Sequence, residues 1–242
     1  MVFEGAVSPR AVVPLLSADG EFPPEPPPPT EDPNARPSWD SATLNSVVRE
    51  GVTPSPIAAL TFDDGWSSRH QVLDALARHD VRATFFAVGR VIDADPDFVR
   101  RALDDGHEFG NHTYDHVDAP TAVRAGTLVD QLRRSEAALQ RIAGEASLKP
   151  YFRPPGGGYN ADVVAIAAAE GYRTILWSVD PWDWKWPLSP DRVVPSTRAG
   201  SIVLNHFNAA TAANIGAVID QLSQRKGIRF VTLTELFRSQ SS

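Results

Sequence analysis

From residue 57 onward, short apolar runs alternate with stretches of helical periodicity, and this alternation restricts the fold of the 242-residue chain more than any other feature. The apolar runs cover residues 57–62, 83–88, 108–111, 151–153, 174–178, 201–204 and 229–233. Between them, residues 70–79, 96–105, 121–143, 161–170 and 212–226 carry apolar side chains at a spacing of about 3.6, as amphipathic helices do. Asp95 precedes Pro96 as an N-cap, and Gly106, Gly171 and Gly227 follow three of the helix ends. Strands that alternate with helices build a parallel sheet with the helices outside it. About seven strands suffice to close, or nearly close, a barrel; the alternation alone leaves a doubly wound open sheet as the other solution.

Residues 1–54 have a different character. Pro23, Pro24 and Pro26 to Pro29 form a run, followed by Pro33 and Pro37. Such a stretch favours extended polyproline conformation and builds neither a helix nor a central strand. It reads as a Pro-rich N-terminal arm or linker, with an apolar patch at 11–16 able to pack on the folded domain at 55–242. The net charge of -7 provides no basic footprint for nucleic acid. The absence of cysteine rules out disulfides, thiolate metal sites and cysteine nucleophiles. No apolar run approaches the roughly 20 residues of a membrane helix. Nor is there a basic segment followed by an apolar one at the N-terminus, so the chain is either cytoplasmic or begins after a removed leader.

Five polar clusters fall at or just beyond the ends of the expected strands, the edge where parallel α/β folds build their active sites. The first is T-F-D-D-G at 61–65. Adjacent carboxylates at a strand end point in different directions, so Asp63 and Asp64 can serve different partners. Taken alone, Asp-Gly also marks an ordinary surface turn. The second is H-T-Y-D-H at 112–116, in which His112 and His116 share one face if the segment is helical and can then share a metal. Asp115 and Asp118 read as loop residues. The third, F-R-P-P-G-G-G-Y-N at 152–160, follows Arg153 with a stiff and then a permissive stretch whose backbone N–H groups can hold an oxyanion. The fourth, W-S-V-D-P-W-D-W-K-W-P at 177–187, interleaves indoles with Asp180, Asp183 and Lys185, which suits sugar rings. The fifth, I-V-L-N-H at 202–206, is a buried run from which His206 emerges.

In this order, the five clusters resemble the motifs of the carbohydrate esterase family 4 polysaccharide deacetylases, the NodB homology domain, over residues 55–237. The resemblance implies an α/β fold, a distorted (β/α) barrel of about seven parallel strands with outer helices, preceded here by the Pro-rich arm. It implies that Asp64, His112 and His116 hold a divalent metal, usually Zn2+, with Co2+ or Ni2+ as alternatives. Asp63 is then the general base, Arg153 its tether, His206 the general acid and Asp183 the group that orients it. Gly156, Trp184, Leu204, Tyr159 and Trp182 are the implied substrate contacts. Two positions depart from the family pattern. Gly156 stands where tyrosine is common, and Phe207 follows His206 where an acidic residue is frequent, which bears on the shape of the cleft. The implied substrate is an acetylated polysaccharide or oligosaccharide, with N-deacetylation of GlcNAc in peptidoglycan or chitin-type chains foremost. O-deacetylation of acetylxylan, a non-catalytic carbohydrate-binding protein and a small-amide hydrolase are the competing readings. A monomer acting in the cell envelope or outside the cell is the matching expectation, inferred from the substrate class.

Overall fold

The computed structural model describes residues 35–239. The proline run and the patch at 11–16 lie outside the described residues. In chain order the elements are α1 (Ser41–Leu44), β1 (Val47–Val48), β2 (Ile57–Asp64), α2 (Arg69–Arg78), β3 (Thr84–Ala87), α3 (Gly89–Ala94), α4 (Pro96–Asp104), β4 (Glu108–Asn111), α5 (Ala119–Arg124) and α6 (Leu128–Ala143). They continue with β5 (Tyr151–Phe152), a 3-10 turn at Pro155–Gly157, α7 (Ala161–Ala169), β6 (Arg173–Ile175), α8 (Pro190–Val193), β7 (Ile202–Val203), α9 (Ala209–Lys226), β8 (Arg229–Val231) and α10 (Leu233–Arg238).

Every strand pair is parallel, in the order β1-β6-β5-β4-β3-β2-β7. β8 pairs with the first half of β2 (Ile57 to Ala59) and β3 with the second (Thr61 to Asp64). The ring is completed by irregular contacts: Ser178 and Val179 donate to the Ile202 carbonyl, and Leu204 donates to that of Val179. This is a distorted (β/α) barrel, not an open sheet.

The strand period of two divides the interior. Along β2, Ala58, Leu60 and Phe62 face the helices and pack with Val72, Leu76 and Ile219. Ile57 and Ala59 face the barrel interior with Phe86, Ile175, Ile202 and Val231. Thr61 and Asp63 continue this inner row, so the pleat itself delivers Asp63 to the interior at the strand's exit. Each fully buried Leu or Phe contributes about 1.5–3 kcal/mol relative to exposure, so a one-residue slip that turned both rows over would be costly.

The structure departs from the expected elements in several places. Part of the stretch expected as an arm is docked: β1 pairs with β6, and Trp39 meets the rings of Tyr151 and Phe237 edge-on at 5.9 and 5.2 Å. A two-residue strand carries no readable periodicity. The single helix expected at 121–143 is two, α5 and α6, separated at Gly126, whose φ is 68°. Residues 112–116 are not helical.

Candidate active site

Arg153 is completely buried beneath the rim of the barrel. Its guanidinium donates to the Asp63 Oδ1 at 2.7 Å, to the Thr61 Oγ1 at 2.9 Å and to the carbonyls of Ile175 and Leu176 at 3.2 and 3.1 Å. Its flat face lies 4.1 Å from the Phe86 ring centroid. A charge without solvent is tolerable only when fully paired, and the planar fork of arginine is suited to that. Burial lowers its pKa and the Asp63 carboxylate opposes this. With Oδ1 fixed, the Asp63 Oδ2 faces the His112 Nε2 at 3.9 Å, beyond hydrogen-bonding range.

Asp64 leaves the strand with a φ of 74° and turns towards the two histidines. Its Oδ1 lies 3.4 Å from the His112 Nε2 and 3.0 Å from the His116 Nε2. The two histidines meet through a tight loop, not through the helical face that their spacing suggests; Thr113 and His116 both take left-handed backbone, at φ 61° and 57°. The loop is held from outside. Gln131 of α6 accepts from the backbone N–H groups of Tyr114 and Asp115 and donates to the Asp115 carboxylate. The Asn111 Oδ1 accepts from the Thr113 N–H. The His112 Nδ1 donates to the Arg153 carbonyl at 2.7 Å, which fixes the ring with its Nε2 facing Asp64. Burial raises the pKa of Asp64, but hydrogen bonds and charge from the two histidines outweigh it and hold the carboxyl well below its usual range. The hydrogen bond to Asp64 raises the pKa of His116 against the opposing effect of burial.

A third pairing completes the rim. The Asp183 Oδ1 accepts from the His206 Nδ1 at 2.7 Å, while its Oδ2 accepts from the His206 backbone N–H and the Thr211 hydroxyl, both at 2.7 Å. Burial opposes charge on His206, but the hydrogen bond to Asp183 and the nearby charges of Asp63, Asp183 and Asp64 overcome it and raise its pKa to about 9. His206 is also tied to the first cluster through its parallel bridge to Asp63.

The remaining candidate residues are distributed around these three pairings. Gly156 is exposed with a φ of 61°, and a Cβ there would meet nothing within 4 Å, so the wall is open where a side chain could project. Gly157 is different: a Cβ would come within 2.8 Å of Trp177. Leu204 is buried, whereas Trp182, Trp184 and Tyr159 are exposed. Phe207 does not shape the cleft as its position suggests. It is buried and packs against Phe62, Phe85 and Phe98 at 5.2–5.7 Å, where an acidic side chain would lack a partner. Sequence reasoning missed Thr61, Thr211, Gln131 and Asn111, which fix the ionic residues. It also missed Trp66, 6.3 Å edge-on to His116, although Trp66 directly follows the T-F-D-D-G cluster.

The family described as polysaccharide deacetylase matches residues 50–175. The chain is 36% identical to a peptidoglycan-N-acetylglucosamine deacetylase of Bacillus cereus, over 75% of this chain and 88% of that protein. It is 39% identical to a chitooligosaccharide deacetylase of Sinorhizobium fredii, over 67% of this chain and 77% of that one. Among solved structures, a peptidoglycan N-acetylglucosamine deacetylase in complex with a substituted N-oxidanyl-benzamide superposes with a TM-score of 0.72 and 33% identity, covering 79% of this chain and 92% of that chain. A CE4 family pseudoenzyme from Bacillus anthracis superposes with a TM-score of 0.70 and 29% identity, covering 80% and 69%.

Proposed function

The chain belongs to the polysaccharide deacetylase family, and on that premise we propose that it hydrolyses the acetamido group of GlcNAc residues in peptidoglycan or a chitin-type oligosaccharide. One observation carries the reading: three ionic pairings, Asp63 on Arg153, Asp64 with His112 and His116, and Asp183 on His206, converge on one strand-end rim. A fold that also serves a pseudoenzyme does not by itself carry activity, so the residues must.

Asp64, His112 and His116 fit a divalent ion. One ligand atom from each lies within 4.8 Å of the others, and the tautomer of His112 is already set by the Arg153 carbonyl. Two imidazoles and a carboxylate suit Zn2+, and also Co2+ or Ni2+. When bound, the ion supplies Lewis-acid polarisation of the acetyl carbonyl and lowers the pKa of water beside it, to about 7 in favourable zinc sites.

The rest is done by the chain. Arg153 holds one oxygen of Asp63, so the other is free to take the proton of the attacking water. The backbone at Gly156 offers an N–H to the developing oxyanion. His206 is protonated at neutral pH and anchored through Nδ1, which leaves Nε2 to donate a proton to the departing amine nitrogen. The C–N bond breaks, acetate takes the water oxygen, and the sugar keeps a free amine. Leu204 and Trp184 flank the acetyl methyl, while Trp182 and Tyr159 meet the sugar. This substrate class places the work at the cell envelope or outside the cell.

The test is acetate release from chitooligosaccharide, peptidoglycan and acetylxylan side by side. Release from the first two is expected. Release from acetylxylan alone replaces the amide reading with ester hydrolysis, and glycan binding without release from any of them replaces it with a non-catalytic protein.

A further inference from the structure

The turn that carries Asp64 out of β2 is unfavourable on its own. Asp64 and Gly65 take left-handed backbone in succession, at φ 74° and 95°, and Ser68 follows at 55°. A residue with a side chain stays in this region only where its surroundings over-determine it. One hold comes from the end of β3, where the Val88 N–H donates to the Asp64 carbonyl at 3.1 Å. Another comes from Arg69, the first residue of α2. Its Nη1 donates to the Gly65 carbonyl, while its Nε and Nη2 donate to the Asp95 Oδ2 at 3.0 and 2.7 Å. Asp95 is itself fixed, because its Oδ1 accepts from the Phe98 N–H at 3.1 Å as the N-cap of α4. A chain of contacts therefore runs from α4 through Asp95 and Arg69 to the carbonyl one residue beyond Asp64.

Helix stability does not explain Arg69. A cation at the first helical position opposes the helix macrodipole, which favours acidic side chains there. α2 has no acidic residue in its first turn, and Ser68 before it makes no side-chain cap bond. The start of this helix serves the turn before it, and a local rule of stability is broken where a site needs it broken. Arg69 and Asp95 are also shielded, with side chains 21% and 16% exposed. The planar fork of arginine lets one side chain hold a carboxylate and a carbonyl at once, which a single ammonium does less well. His70 is the internal contrast. Its Nε2 stands 3.1 Å from the same Asp95 Oδ2, but its side chain is 47% exposed and among the described residues it makes no hydrogen bond to the turn.

We propose that Arg69 and Asp95 are positioning residues for the metal site. The Asp95 carboxylate aims the Arg69 guanidinium, and Arg69 holds the turn at 64–65 so that the Asp64 Oδ1 stays directed at the ion it shares with His112 and His116. This rests on the metal reading above and deepens it.

The experiment compares full-length wild type, Arg69→Met, Asp95→Asn, their double variant and His70→Ala, all freed of metal. Arg69→Met keeps an apolar stem, Asp95→Asn keeps a cap for α4, and thermal melts control for folding. Three readouts are taken: Zn2+ affinity by competition with a chelating dye, the visible bands of Co2+ bound in place of zinc, and amide exchange at Val88. Arg69→Met should weaken Zn2+ binding about ten-fold or more, the scale of a lost partner behind a metal ligand, with altered Co2+ bands and faster exchange at Val88. Asp95→Asn should move all three in the same direction but less. The double variant should match Arg69→Met, because both substitutions break the same chain, and His70→Ala should match wild type. Lower melting temperatures with affinity, bands and exchange unchanged overturn the proposal and make the pair a brace between α2 and α4. Additive losses in the double variant, or an equal loss in His70→Ala, overturn it too. A wild type that binds no Zn2+ removes the metal reading, and exchange at Val88 then decides whether the pair holds the turn.

Discussion

The barrel buries a carboxylate near each end, and the two are treated differently. At the N-terminal edge, Glu108 begins β4. Its Oε1 accepts from the Thr84 hydroxyl and the Thr234 N–H, and its Oε2 accepts from the Thr234 hydroxyl, at 2.5–3.0 Å. The same Thr234 hydroxyl meets the Tyr151 hydroxyl at 2.8 Å. At the opposite edge, Asp63 has one oxygen fixed by Arg153, while the other faces His112 at 3.9 Å. Both oxygens of Glu108 are engaged by donors from within the protein, and the Arg36 Nε stands 3.9 Å from Oε2. Asp63 is held rigidly through half of its valence and left available through the other half. Burial alone does not mark a reactive group; burial with an unspent lone pair, beside other ionic groups, does.

The largest break in this comparison is Asp63→Asn. It keeps the shape and a hydrogen-bond acceptor for Arg153 but removes the base, so kcat should fall about 100- to 10,000-fold while Zn2+ still binds. Acetate release and a Zn2+ titration on the same sample check both halves. Glu108→Ala should do the reverse. Stripping the acceptor from three buried donors costs about 2–4 kcal/mol, read as a lower midpoint in denaturant, with acetate release per folded molecule unchanged. Gln131→Ala frees the loop that carries His116 and should weaken Zn2+ binding about ten-fold or more, by competition with a chelating dye.

The smallest effect is on pH. His206 has a folded pKa near 9 against an ordinary value of 6.5, so its pairing with Asp183 stabilises the metal-free fold fully below about 6.5, and that contribution is lost as pH rises through about 9. Asp183→Asn removes the hydrogen bond that does most to raise it, so the alkaline limb of kcat/KM should move to lower pH. A limb that stays in place assigns the acid elsewhere.

Much of this rim was legible because it depends on position along strands. Apolar runs that end in Asp63, Asp64, Arg153 or His206 announce a strand exit, and a parallel barrel gathers its exits on one edge. The histidine pair was found through a helical spacing that the chain does not use; Thr113 and His116 reach the same convergence through left-handed backbone, which residue type does not reveal. Gln131, Thr61 and Thr211 gave no signal at all. A polar residue on an amphipathic helix or strand looks the same in sequence whether it meets water or a loop N–H, and only tertiary packing separates the two. Phe207 shows the converse: its neighbour His206 suggests the cleft, but the pleat turns its ring into the aromatic core.

On the proposed function, acetyl hydrolysis depends on an ion held by Asp64, His112 and His116. The direct measurement is acetate release from GlcNAc hexamer by exhaustively chelated protein as Zn2+ is added back in steps. Release should be absent at the start, rise with Zn2+ and level off near one equivalent, and Asp64→Ala should show no such rise. Full release before any metal is added, or the same rise in Asp64→Ala, would contradict it.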